Sequence, residues 1–166
     1  MPTITFAILH CFFVIRDDGR RILHFNITRH PTSSWIVQQL REAFPFGAAP
    51  RFLIHDRDAK YGTEVPTAIR SLGTNPIRTS FRSPWQNGVA ERWVGSCREL
   101  LDHVIALNER HLKRLLSNYV SYHHEDRTHP ALGKGTPGCR THCVTHGRVL
   151  SHDRLGGLHH RYERAA

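Results

Sequence analysis

Acidic residues are few in this sequence, and no apolar run is long enough to cross a membrane. Its 166 residues include 23 Lys and Arg but only 14 Asp and Glu, which gives a formal net charge of +9. The longest apolar stretch, residues 4–15, is interrupted by His10 and falls short of the roughly 20 residues that span a bilayer. It also lacks the basic segment and small-residue cleavage site of a signal peptide. We expect a protein without a membrane anchor whose partner is a polyanion, most often nucleic acid; the alternative is a basic surface with no dedicated partner.

Cysteine is also scarce, and its spacing does not describe a disulfide framework. The four cysteines are at positions 11, 97, 139 and 143, and a chain of this length can build a core without crosslinks. Residues 139–146 hold two Cys and two His, but these are bunched without a second pair at zinc-finger spacing. We interpret that segment as an incidental His-rich tail. The cysteine usage predicts a reducing compartment, the cytoplasm.

The alternation of apolar runs and turn residues predicts a mixed α/β domain. Asp18-Gly19 stands between two apolar runs, which indicates a β-hairpin. Helical periodicity then alternates with short strand patterns, an order that favours a mixed sheet with helices beside it. The predicted strands are residues 6–15, 21–28, 51–55 and 76–81, and the predicted helices of this part are residues 34–44 and 65–72.

The second half of the chain changes character twice. From residue 89 the pattern is helical, with a break near residues 107–108. After Pro130 glycine, histidine and arginine dominate and the periodicity ends. We therefore predict a core domain at residues 1–132 and an irregular, basic, His-rich tail at residues 133–166 with one short strand near Val149.

Two carboxylates are the best candidates for chemistry. Asp56 ends the predicted strand 51–55, and Glu91 falls in the first turns of a helix that follows the breakers Ser83-Pro84 and Asn87-Gly88. Carboxylate pairs of this kind suit Mg²⁺ or Mn²⁺, which prefer hard oxygen ligands and keep water positions open. In the alternative interpretation, Asp56 caps a turn and Glu91 only complements the helix dipole. Asp58 competes with Asp56 for the strand-end position.

Two motifs taken together resemble the integrase core of DDE transposases and retroviral integrases. They are Ile54-His55-Asp56-Arg57-Asp58-Ala59-Lys60-Tyr61-Gly62 and Ser83-Pro84-Trp85-Gln86-Asn87-Gly88-Val89-Ala90-Glu91-Arg92. A third stretch resembles the closing Y-N-x-x-R-P-H-x-x-L segment of bacterial insertion-sequence transposases, with His123-His124 in place of the usual Tyr-Asn. The resemblance covers about residues 5–132. It implies an RNase H-like mixed sheet flanked by helices, with DNA strand transfer as the activity.

The resemblance also implies residue roles. Asp56 matches the second catalytic aspartate of the family and Glu91 its catalytic glutamate, and both would bind Mg²⁺ or Mn²⁺. The family's first aspartate lies on the central first strand, before a hairpin like residues 6–28, and here no aspartate precedes Asp17. Asp17 and Asp18 are predicted to form the hairpin turn, at the opposite end of the sheet from Asp56. We therefore expect the first strand to be missing and this chain alone to be catalytically inactive and marginally folded.

Basic residues near these carboxylates are predicted to contact DNA phosphates, and the alternative for each is a solvated surface. They are Lys60, Arg82, Arg92 and Arg98. Trp85 could stack on a base or pack against its own turn, and we favour the second interpretation. Three functions stay open: the catalytic core of a transposase, an inert nucleic-acid-binding remnant of a mobile element, and a fragment that assembles with itself or with a full-length transposase.

Overall fold

The structure, a computed structural model, describes residues 8–45, 49–139 and 146–165. Contacts divide the chain into two compact units, Met1–Ile15 with Leu23–Lys113 and Arg16–Ile22 with Arg114–Ala166. The domain boundary expected at residue 132 stays a prediction. The elements are β1 (His10–Ile15), β2 (Ile22–Thr28), α1 (Ser33–Ala43), β3 (Phe52–His55), α2 (Glu64–Ser71), β4 (Asn75–Arg78), α3 (Gly88–Leu101), α4 (Glu109–Glu125), β5 (Val149–Arg154) and β6 (His159–Arg164).

The predicted hairpin is present. β1 and β2 pair with each other, and the connection between them is too short for a parallel crossover, so the pairing is antiparallel. In the turn, Arg20 donates to the Asp17 carboxylate at 3.1 Å and the Gly19 N–H donates to Asp18 at 2.7 Å. Asp17 and Asp18 therefore have the turn-forming role that the sequence predicts.

A β–α–β segment with its own core carries the candidate site. β3 and β4 pair in parallel, with His55 opposite Arg78 at their carboxyl ends. The helices α1 and α2 pack together beside these strands. Helix α1 begins after Thr32, whose hydroxyl accepts the Trp35 N–H at 3.2 Å. The core residues of these helices are Ile36, Leu40, Phe44, Val65 and Ile69.

The mixed α/β content agrees with the predicted fold class, but the sheet differs from the prediction. The described residues form three two-stranded sheets, β1–β2, β3–β4 and β5–β6, and not one continuous mixed sheet. No described strand lies between β1 and β3 to join the first two ladders. Among the described residues no helix is long and apolar enough to cross a bilayer.

The residues after 133 hold more regular structure than the irregular tail that the sequence predicts. β5 is the strand expected near Val149, and β6 pairs with it over six residues as an antiparallel hairpin. Sequence patterning missed β6 because its inward side chains are polar. Both strands are held by charge: Arg154 of β5 and Arg161 of β6 place their Nε atoms 2.6 Å and 3.8 Å from Asp126, whose side chain is fully buried. The Cys/His segment lies mostly outside the described residues; among the described cysteines, Cys11 and Cys139 have free thiols.

Two imidazoles make the stability of the second unit depend on pH. His123 donates from Nε2 to the Arg20 carbonyl at 2.9 Å, and His124 Nε2 accepts the Ile22 N–H at 2.9 Å. Burial lowers the pKa of both groups, that of His123 to about 4. Both pKa values lie below the ordinary histidine pKa of about 6.5, so the unfolded chain binds more protons at these two imidazoles than the folded chain does. Stability is therefore fully present above about pH 6.5 and falls as the pH decreases toward about 4.

Urea unfolding at about pH 7.5 and about pH 4.5 measures this dependence. We expect a lower midpoint at the acid pH, and a smaller difference between the two pH values in His123→Gln, which keeps a donor but does not titrate. A difference of the same size in His123→Gln, or a midpoint that rises on acidification, would contradict the assignment to His123.

Candidate metal and nucleic-acid site

Asp56 is exposed at the carboxyl end of β3. The preceding residue, His55, is 7% exposed, and its Nδ1 lies 3.0 Å from the Asp56 carbonyl oxygen. On the other strand, the Thr79 N–H donates to the His55 carbonyl at 3.1 Å. The backbone that carries Asp56 is therefore fixed on both sides while its carboxylate faces solvent.

Asp58, the competitor for this position, has a structural role. Its carboxylate accepts the Lys60 N–H at 2.9 Å and so caps a 3₁₀ turn, Ala59–Tyr61. The Lys60 N–H hydrogen bond holds the pKa of Asp58 below its ordinary value. The Lys60 ammonium also lies 3.1 Å from Asp58, so Lys60, a predicted phosphate contact, already has a partner. Of the two aspartates, Asp56 is the one left available for a ligand.

Glu91 lies in the first turn of α3 and is exposed. The residues of α3 that are buried recur at three- and four-residue spacing, at Ala90, Trp93, Ser96 and Leu100. Glu91 therefore falls on the solvent side of the helix. Among the described residues, the structure gives its carboxylate no hydrogen-bond or ion-pair partner. Glu91 is available to a ligand in the same way as Asp56.

A short ordered turn leads into this helix. A 3₁₀ turn, Pro84–Asn87, precedes α3 directly. Gln86 fixes it to the end of the preceding segment, because its Oε1 accepts the Ser80 N–H at 2.6 Å and its Nε2 donates to the Ser80 hydroxyl at 3.2 Å. The Ser-Pro and Asn-Gly breakers thus produce the helix entry that the sequence predicts.

The side chain of Asn87 joins the two carboxylate-bearing elements. Asn87 Nδ2 donates to Asp56 Oδ1 at 3.4 Å, a long hydrogen bond. Glu91 follows Asn87 by one helical turn, a spacing that places the two on neighbouring positions of one face. The contact therefore brings Asp56 to the beginning of the helix on which Glu91 stands.

The donor set suits one hard divalent cation. Two exposed carboxylates leave open positions that water or a phosphate oxygen can fill, as Mg²⁺ prefers. In the described part of the chain, no group of three or more His, Cys, Asp and Glu side chains is arranged to hold a metal ion. That Asp56 and Glu91 act as metal ligands stays a prediction from the sequence.

The remaining predicted phosphate contacts lie on exposed positions of the same segment. Arg92 and Arg98 are exposed on α3, and Arg98 stands two turns after Glu91, on the same face. Arg82 has a positive φ of 52° and places its guanidinium 5.2 Å from the centre of the Phe81 ring. Arg82 and Arg92 thus lie beside the turn and the helix entry in sequence, whereas Arg98 lies in the last turn of α3.

Two aromatic side chains beside the turn face solvent. Trp85 is 73% exposed and Phe81 is 70% exposed. Our interpretation of Trp85 as packing against its own turn is therefore wrong: the turn is fixed by Gln86, and the indole is left outside. Trp93, by contrast, is 4% exposed and packs at 6.3 Å from Phe13, as expected of a core residue.

Two further residues near the site were not assigned a role from the sequence. Asn87 belonged to a recognised motif, and its four-residue spacing to Glu91 was the signal that could have found it. Tyr61 gave no signal. It is recognisable only in the structure, where burial, reinforced by the charges of Asp56 and Asp58, raises its pKa to about 12. Asn87 thus contacts Asp56 by a hydrogen bond, and Tyr61 lies close enough to Asp56 for the charge of that carboxylate to raise its pKa.

Comparison with known proteins identifies part of this region. Residues 72–137, which include the turn and the whole of α3 and α4, match the family described as integrase core domain. No curated protein matches the chain. Among solved structures, the chain is similar to a chain of the simian T-cell lymphotropic virus intasome in complex with PP2A regulatory subunit B56 gamma.

That structural likeness concerns the fold. The TM-score is 0.66 at 16% sequence identity, and the match covers 99% of this chain. The chain spans 63% of the length of the viral chain. The predicted likeness to integrases and transposases is thus confirmed by sequence over residues 72–137 and by fold over nearly the whole chain.

Proposed function

Because residues 72–137 match the integrase core domain family and the fold is similar to that of a viral intasome chain, we propose that this chain is the catalytic-core part of a DDE transposase, which cuts and joins DNA ends by metal-dependent phosphoryl transfer. The observation that supports this most directly is the hydrogen bond between Asn87 and Asp56. It connects the two motifs that resemble the family, since Asp56 lies in one of them and Asn87, four residues before Glu91, lies in the other. We further propose that the strands belong to an RNase H-like sheet.

Asp56 and Glu91 would hold the divalent ion in this proposal. Such an ion polarises the scissile phosphate and lowers the pKa of a bound water or hydroxyl group. The chain's own residues then bind and orient the DNA. Asn87 keeps the Asp56 carboxylate facing the helix entry, and Arg92 and Arg98 bind phosphates on the exposed side of α3.

The alternative is a nucleic-acid-binding protein without catalytic activity. The number of carboxylates favours this alternative. The family pattern uses three catalytic carboxylates, and among the described residues only two, Asp56 and Glu91, match that pattern. Partners other than DNA, a second copy of the chain or a full-length transposase, belong to this proposal as well.

A gel-shift and nicking assay separates the two functions. The purified chain is titrated onto labelled duplex DNA with and without Mn²⁺, at several salt concentrations. Binding that weakens with salt, together with Mn²⁺-dependent nicking, supports the catalytic core. Salt-dependent binding without nicking supports the inert protein. Absence of any salt-dependent binding would rule out both.

Trp85 is expected to take part in DNA binding and not in folding. An indole exposed to this degree on an ordered turn offers a flat apolar surface on which an unpaired base can stack, worth about 1–3 kcal/mol. We expect Trp85→Ala to weaken binding of a duplex with an unpaired end about tenfold while leaving the thermal midpoint unchanged. Ile105→Ala is the control, since Ile105 is 68% exposed. Equal weakening by both variants would contradict a specific role for Trp85.

A further inference from the structure

The inner face of the hairpin β5–β6 is already occupied by contacts with the end of α4. Arg154 Nε lies 2.6 Å from Asp126, and Arg161 Nε lies 3.8 Å from the other oxygen of the same carboxylate. The His159 ring stacks on Tyr122 with 4.7 Å between ring centres. The positive charges of this face are therefore balanced within the protein, and its aromatic surface is covered.

The outer face of the hairpin is different. Residues opposite each other in an antiparallel ladder project on the same side. The outer face consists of three cross-strand pairs, Val149 with Arg164, Ser151 with Tyr162, and Asp153 with His160. Tyr162 is central and 59% exposed. The Asp153 carboxylate lies 3.1 Å from His160 Nδ1, so the only acidic group on this face has a partner.

Among the described residues, no carboxylate forms an ion pair with Arg164 on this face. Its Nη1 donates to the Gly147 carbonyl at 3.0 Å, which positions the guanidinium without neutralising it. Arg148, which precedes β5, is exposed as well. The Ser151 hydroxyl lies 3.1 Å from His160 Nδ1, which leaves the Tyr162 ring and the Arg164 guanidinium as the available groups of this face. An aromatic ring and a guanidinium on one side of a ribbon suit a polyanion with apolar surface between its charges.

We propose that this outer face is a second DNA-binding surface, which contacts duplex DNA through Tyr162 and Arg164. The inference rests on the proposed function in one respect, that the polyanion is DNA. A two-stranded ribbon fits the major groove of B-form DNA. Arg164 then binds a phosphate, and the Tyr162 ring lies against the sugars and base edges.

Fluorescence anisotropy of a labelled duplex, titrated with the whole chain without divalent metal at several salt concentrations, tests this proposal. Tyr162→Ala is expected to raise the Kd about tenfold. Arg164→Ala is expected to lower the slope of log K against log salt by about 0.9, the value for one lost phosphate contact. Tyr162→Phe and Arg164→Lys should restore most of the affinity and the slope, respectively. The control is Arg70→Ala, which removes an exposed arginine of α2 and changes the net charge equally.

The outcomes distinguish this proposal from the proposed function. If the unaltered chain shows no salt-dependent binding, both fail. If it binds and Tyr162→Ala and Arg164→Ala bind equally well with an unchanged slope, only the second surface fails. An equal effect of Arg70→Ala and Arg164→Ala would mean that only the net charge matters, and it would overturn the proposal. Tighter binding of single-stranded DNA than of duplex DNA would overturn it as well. Unchanged thermal midpoints for Tyr162→Phe and Arg164→Lys keep the comparison free of folding effects.

Discussion

Asp56→Asn and Glu91→Gln are each expected to lower metal-dependent DNA cutting and joining by about 10³-fold or more. Each substitution removes a negative ligand, and a metal ion that stabilises the developing charge is worth several kcal/mol to the reaction. Because the two carboxylates act as a unit, the double variant should be hardly slower than either single one. The measurement is the rate of product formation from a labelled DNA end with Mn²⁺.

The control for this prediction is DNA binding without metal. Both variants remove a negative charge, so their affinity for duplex DNA should be equal to or slightly tighter than that of the unaltered chain. A second readout is Mn²⁺ affinity by isothermal titration, which should fall in both variants even if the chain does not cut DNA. The choice of Asp56 as the metal ligand would be wrong if Asp56→Asn kept full activity. It would also be wrong if Asp58→Asn lost as much activity as Asp56→Asn.

Ile69→Ala is expected to be the most destabilising single truncation, with a loss of about 3 kcal/mol in the free energy of unfolding. Ile69 is 1% exposed and belongs to the cluster between α1 and α2. Truncation leaves a cavity lined by side chains that cannot all move to fill it. Urea unfolding at neutral pH measures the difference.

Ile105→Ala is the matched control for Ile69→Ala, because it removes the same atoms from a position that is 68% exposed. Its cost should stay within about 0.5 kcal/mol. Comparable losses in the two variants would mean that the cluster around Ile69 does not dominate the stability of its unit. A wild-type unfolding transition with two phases, one per unit, would require the two losses to be compared within the same phase.

Much of the secondary structure could be predicted because its signals are local. The Thr32 cap, the Asp18-Gly19 turn and the Ser83-Pro84 entry each depend on neighbours in sequence, and the structure places element boundaries within a few residues of them. β6 could not be predicted in this way. Its inward residues Arg161 and Glu163 are polar, and what holds the hairpin is the buried carboxylate of Asp126, more than twenty residues away along the chain.

The sequence names candidate residues, whose role stays a prediction, but it does not show the contacts between them. Asp56 and Glu91 were found from their positions after a strand and within a helix start. The roles of Asp58 as a cap and of Lys60 as its partner appear only in three dimensions, because both interactions depend on the backbone conformation after β3. Trp85 shows the limit most clearly, since an aromatic residue in a turn is compatible with either packing or exposure.

The position of Asn87 has a consequence for the motion of the site. Asn87 is at the N-cap of α3, but its side chain makes no capping hydrogen bond and instead contacts Asp56. A cap is worth about 1 kcal/mol to the first turn of a helix, so this turn, with Gly88 at its start, frays more readily than the β-ladder that carries Asp56. In hydrogen exchange the amide of Glu91 would therefore exchange faster than those of β3. A ligand that bridges the two carboxylates would slow exchange at Glu91 in particular, and would do so by completing a helix end that the protein leaves open.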